Sequence, residues 1–187
     1  MDIRKMVRKA LLTEGKHAFA NKYGCVMIYL NVEPKDWSVV EDLIDDEDLY
    51  LGDGEDSGYG KETDPHVTIL FGLHEDVSDK DVEELIDKIT KPNIELQKAS
   101  SFKNEKFDVL KFDVESDDLI KYNKMFKTLP HTDTFPDYHA HCTIAYLKKG
   151  TADKYVKLLN DKEAITVKPD KIVYSKVNGD KKDYKLK

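Results

Sequence analysis

Arginine is almost missing from this chain. Of 30 basic residues only Arg4 and Arg8 are arginines, and both lie near the N-terminus. Proteins that track a long phosphate backbone use a basic stripe and guanidinium forks. With a formal net charge of −7, neither is in view. That argues against a long-duplex binder and leaves a small anionic ligand open. Cysteine is scarce as well. Cys25 and Cys142 sit in separate apolar, strand-like runs with no C-x-x-C spacing. They read as buried free thiols of a cytoplasmic protein, not as a disulfide or zinc framework. No apolar run approaches the ~20 residues of a membrane span. The basic start "MDIRKMVRKALL" lacks the long apolar stretch and small-residue cleavage site of a secretory signal. Its apolar residues fall at helical spacing, which predicts a packed helix over about residues 2–21, with a mitochondrial-type address as the alternative.

What is present fits one well-solvated domain of 187 residues, 40% hydrophobic and 36% charged, long enough for a sizeable core and expected to be monomeric. Strands are expected at residues 23–32, 66–73, 93–102, 107–115, 139–148 and 164–177, where β-branched and aromatic residues run between turn signals. Helices are expected at 34–44 with Asp36 as N-cap, at 78–89 with Ser78 and Asp81 in a capping-box pattern, at 117–129 and at 151–161. "NGDKKDYKLK" carries an Asn-Gly turn and a further strand. Residues 45–64 are acidic, contain four glycines and read as a mobile loop.

The first five elements and the next five repeat the order β-α-β-α-β. This predicts an α/β (α+β) fold in one bilobal domain, residues 1–187, with lobe A at about 23–102 and lobe B at about 107–177. A pseudo-two-fold would relate the lobes, with two antiparallel-containing sheets lining a central cleft and helices outside. The repeat is sharpest at "HVTILF" (66–71) and "HCTIAY" (141–146). Both read His, apolar, Thr, Ile, apolar, aromatic, and both follow a proline-containing loop. In a strand, residues two apart share a face about 6.6 Å apart. His66 therefore sides with Thr68 and His141 with Thr143, while Val67, Ile69, Cys142 and Ile144 point to the core.

Two imidazoles and two hydroxyls around one point suit a phosphodiester undergoing displacement. One histidine takes a proton from the incoming oxygen and the other gives one to the leaving oxygen. The threonines donate to the non-bridging oxygens. No cofactor or metal is needed. These paired H-x-[TS]-x motifs resemble the 2H phosphoesterases over roughly residues 23–177. That family includes cyclic nucleotide phosphodiesterases, so-called 2′-5′ RNA ligases, an RNA-end-trimming exonuclease and viral or phage enzymes that cut nucleotide immune signals. The resemblance implies that His66 and His141 are general acid and base and that Thr68 and Thr143 hold phosphate. It implies a small nucleotide or RNA-end substrate, such as a 2′,3′-cyclic phosphate, a 2′-5′ linkage or a cyclic oligonucleotide. The setting would be cytoplasmic, or the host cytoplasm for a phage enzyme that evades immunity.

Further candidates for substrate contact are Tyr29, Lys111, Tyr138 and His139. Asp64 is the positional counterpart of His139, and either could orient a catalytic imidazole. Tyr59 and Tyr138 are lid candidates, while His17, His74 and His131 read as surface residues. Two other function classes stand beside the enzyme. One is a module that sequesters a nucleotide or RNA end without turnover. The other is a metal hydrolase built from His66, His139, His141 and Asp64.

Overall fold

The computed structural model describes residues 23–52, 58–133 and 137–187. The helix expected over residues 2–21, His17 and the centre of the acidic stretch lie outside the described residues. Along the described chain run β1 (Gly24–Val32), α1 (Pro34–Asp42), β2 (His66–Leu73), α2 (Asp79–Ile86), β3 (Glu95–Lys103), β4 (Phe107–Glu115), α3 (Asp117–Phe126), β5 (His141–Lys148), α4 (Ala152–Asn160), β6 (Val167–Ser175) and β7 (Lys181–Lys185). No described helix is long and apolar enough to cross a membrane.

Local chemistry sets the helix starts. Ser78 caps α2 by accepting the Asp81 N–H at 3.1 Å, and its own hydroxyl donates to the Asp81 carboxylate at 2.7 Å. Ser116 caps α3 through the Leu119 N–H. In α1 the N-cap is Glu33, not Asp36, because Pro34 takes the first helical position, where its fixed φ fits and its missing N–H costs nothing. The cap of α4 comes from another element. Thr151 makes no side-chain cap bond, and buried Asp108 of β4 accepts the Gly150 and Ala152 N–H groups at 2.9 and 3.4 Å.

All seven strands join one antiparallel sheet in the order β3-β4-β5-β2-β1-β6-β7. The two expected sheets are thus halves of one sheet, joined where β2 meets β5 through the Val67–Cys142 pair. The order is symmetric about that seam, with β2 matching β5, β1 matching β4 and β6 matching β3. Each half takes its outer strand from the other repeat: β3 lies on β4, and β6 lies on β1. Helix α3 packs on β2, and α4 packs on β3 and β4. Val67, Ile69, Cys142 and Ile144 are fully buried among the core residues, each burial worth about 1.5–3 kcal/mol. The opposite face of the seam is the floor of a cleft.

Beyond the seam β2 and β5 splay apart, and the edges they expose need partners for their backbone groups. The chain before each motif strand supplies them to the other motif strand. Ahead of β2, Leu49 and Lys61 bridge Leu147 and Ala145 of β5, and Tyr50 and Gly60 bond to Tyr146 at 3.0 and 2.8 Å. Ahead of β5, His131 bridges Leu73, and the Thr132 N–H donates to the Gly72 carbonyl at 2.9 Å. The described flanks of the acidic stretch are therefore built into the sheet rather than forming a free solvated loop. Gly72 is required here. Its φ is +116°, and a Cβ would lie 2.3 Å from the Thr132 carbonyl oxygen.

Candidate active site

The seam sets the site. One step either side of the Val67–Cys142 pair, the antiparallel register carries His66 opposite Thr143 and Thr68 opposite His141. All four side chains line one cleft of about 780 Å³. Each of the two histidines expected to be catalytic is thus placed across the seam from the threonine of the other motif.

Both imidazoles are held in the same way. His66 Nδ1 lies 2.8 Å from the Asp64 carbonyl oxygen, and His141 Nδ1 lies 2.8 Å from the His139 carbonyl oxygen. A carbonyl only accepts, so Nδ1 carries the proton in both rings and Nε2 is left for the cleft. Asp64 and His139 do orient the two imidazoles, but through their main chains, and both side chains are exposed. His131 makes the same two-residue bond to Leu129, so the bond alone does not single out a site; its pairing across the seam does. Strand β5 starts at His141 rather than at 139, which is why the His139 carbonyl is free to turn back.

Behind each ring stands an aromatic, and behind each aromatic a lysine. Tyr29 stacks on His66 with centroids 5.3 Å apart, and the Lys171 ammonium lies 5.5 Å from the Tyr29 centroid. Phe102 meets His141 edge-on at 5.0 Å, and the Lys111 ammonium lies 4.2 Å from the Phe102 centroid. Asp183 pairs with Lys171 and Asp113 with Lys111. Lys111 is buried beneath Phe102, and its ammonium donates to Ser100 Oγ at 2.7 Å and to Asp113. It supports the site from below instead of presenting charge to the cleft. Burial, together with Lys111 and His66, holds the His141 imidazole below its usual range, against the upward pull of the His139 carbonyl and Asp113.

Tyr138 lines the cleft and donates its hydroxyl to the Thr68 carbonyl at 2.9 Å, tying the loop before β5 to β2. Burial pushes its phenol up. Cys25 also lines the cleft, but burial pushes its thiol up to about 12, so it holds no thiolate at neutral pH. His74 and His131 are half-buried rather than surface groups: His74 Nε2 lies 2.8 Å from Thr132 Oγ1, and His131 lies 3.6 Å from Asp133. Among the described residues no group of three or more His, Cys, Asp or Glu side chains is placed to hold a metal ion.

Three contributors escaped the sequence reading. Glu62 accepts the Asp64 N–H at 3.0 Å and brings its carboxylate within 4.0 Å of His66. Phe102 walls His141. Asn123 reaches from α3 to the Ile69 carbonyl at 2.7 Å. Phe102 and Asn123 act across long sequence separations, which no local pattern reveals, and Glu62 reaches Asp64 and His66 only through the turn that the chain makes before β2. The bulges did leave a signal. Met27 pairs with Thr68 but Val26 with Leu70, and Lys111 pairs with Thr143 but Leu110 with Ala145. Each motif strand thus carries one extra residue, Ile69 or Ile144, at the same place. The bulge switches the face phase and brings Phe71 and Tyr146 back to the cleft. The shared aromatic at the sixth motif position is out of step with a plain period of two, and the bulge is its explanation. Both bulge carbonyls are satisfied from outside the seven strands, Ile69 by Asn123 and Ile144 by the Glu62 N–H at 2.8 Å.

The pattern of the 2′-5′ RNA ligase superfamily matches residues 32–181. Among solved structures, Usb1 of Kluyveromyces marxianus with uridine monophosphate is similar, with a TM-score of 0.54 and 11% identity over 90% of this chain and 100% of that chain. At that identity the likeness is one of fold. No curated protein matches the chain.

Proposed function

The chain belongs to the 2′-5′ RNA ligase superfamily, and from that premise we propose that it cleaves the phosphodiester of a small nucleotide or an RNA end, with His66 and His141 as the proton-transfer pair. The observation that carries the reading is the matched bonding of the two imidazoles. Each has Nδ1 tied to the carbonyl two residues back, and the two rings flank one seam.

Chemically, the phosphate sits between the rings, with Thr68 and Thr143 donating to its non-bridging oxygens as charge gathers there. One Nε2 accepts the proton of the attacking hydroxyl or water. The other, entering protonated, gives its proton to the leaving oxygen. The depressed basicity of His141 keeps it neutral at pH 7 and suits it to the base. That leaves His66, on the other side of the seam, as the donor to the leaving group. A ribose 2′-hydroxyl as nucleophile gives a cyclic phosphate, and water gives a monoester. The cleft volume of about 780 Å³ suits a small ligand. The uridine monophosphate in the Usb1 structure is a ligand of the class proposed.

Incubation with 2′,3′-cyclic nucleotides, 2′-5′ and 3′-5′ oligonucleotides and cyclic di- and trinucleotides, with products identified by mass, tests the reading. Cleavage of at least one class, undiminished by EDTA, is expected. Tight binding of a ligand that returns unchanged would favour a sequestering module, and loss of activity on chelation would favour metal hydrolysis.

A further inference from the structure

The two bulges fix an order along the cleft floor. Read across the seam, the same-face positions run Tyr146, then His66 beside Thr143, then Thr68 beside His141, then Phe71. Because each bulge absorbs one residue, Phe71 is the next same-face neighbour after Thr68, and Tyr146 the next after Thr143. Each aromatic stands about 6.6 Å beyond its threonine. The strands are antiparallel, so the two aromatics lie at opposite ends of the reactive centre.

Each end is furnished further. Tyr146 meets Tyr59 and Phe107 with centroids 5.1 and 5.8 Å away, and Tyr50 stacks on Phe107 at 5.0 Å. Phe71 meets Tyr23 edge-on at 5.9 Å. Tyr146, Tyr59, Phe107, Phe71 and Tyr23 all line the same cleft, and Phe71 and Tyr146 are only half-buried. A plain core would bury such rings. Here they border a volume of about 780 Å³ that is also lined by His66, Thr68, His141 and Thr143.

We infer that the cleft seats a nucleobase at each end, on Tyr146 and on Phe71, so that its substrate is a phosphodiester flanked by two nucleosides. The inference rests on the phosphodiesterase reading and narrows it: a 2′,3′-cyclic mononucleotide fills one seat, while a dinucleotide step fills both. Base stacking on aromatic side chains is sequence-tolerant, so the seats select for two bases more than for which bases.

Calorimetry on a His66→Ala/His141→Ala double variant reads the seats without turnover. Uridylyl-uridine, in 2′-5′ and 3′-5′ linkages, should bind at least about tenfold tighter than uridine monophosphate. Adding Phe71→Leu or Tyr146→Leu should each cost about fivefold or more in dinucleotide affinity. Only one of the two should weaken the mononucleotide, and Phe71→Tyr and Tyr146→Phe should restore binding. Equal affinities for the two ligands, no binding of either, or leucine variants that bind like their parent would overturn the two seats. Turnover of the same dinucleotides by the unaltered protein is scored separately. Seats that bind as expected with no cleavage would retire the phosphodiesterase reading and leave the seats standing.

Discussion

His141 is an imidazole held below its usual basicity mainly by burial, with Lys111 adding to the effect. For a base to act it must be unprotonated, so the acid limb of kcat/KM follows the free enzyme's base. With His141 as base, that limb should lie below pH 6.5, the ordinary imidazole value. Lys111→Met removes an ammonium that disfavours the imidazolium and frees Asp113, which favours it. Both changes raise the pKa, so the limb should move to higher pH in a kcat/KM profile. An unmoved limb would assign it to another group. His66, Thr68, His141 and Thr143 were legible in the sequence because a two-residue period and an internal duplication are local patterns. Glu62, Phe102 and the committed state of Lys111 were not, because each depends on a contact made by folding. A lysine between Leu110 and Phe112 looks available until Ser100 and Asp113 are found holding it.

Among the elements, the bulged motif strands matter most. Asn123→Ala would leave the Ile69 carbonyl buried without its donor, a loss of about 1–3 kcal/mol and a fall of several degrees in Tm. Glu62→Ala leaves the matching bulge intact, since the Ile144 carbonyl is held by the Glu62 main chain. That variant should keep Tm nearly unchanged and lower kcat, because Asp64, the holder of His66, loses its carboxylate anchor. Thermal unfolding with steady-state kinetics separates the two. Strand and helix positions were readable to within a few residues from apolar periodicity and caps. The exchange of outer strands between repeats was not, because β3 and β6 present the same alternation to either half. Nor was the docking of the acidic segment on β5, whose backbone bonds carry no side-chain signature.

At the scale of the whole molecule, a chain with a net charge of −7 surrounds a cleft whose lysines are partly spent. Lys103 is paired with Asp108 and Asp153, and Lys127 with Asp133. Few counterions are then displaced by substrate, and kcat/KM on an oligonucleotide should fall no more than about tenfold between 50 and 200 mM salt. A much steeper fall would point to a long phosphate track. The duplicated layout read from the sequence is what makes one site from two motifs, and that is the central claim. Single-turnover cleavage and ligand affinity, measured together for His66→Ala and His141→Ala, test it most directly. Each substitution should cut the cleavage rate by about a hundredfold or more while ligand affinity stays within a few-fold. A variant of either histidine that cleaves at the unaltered rate would contradict the account.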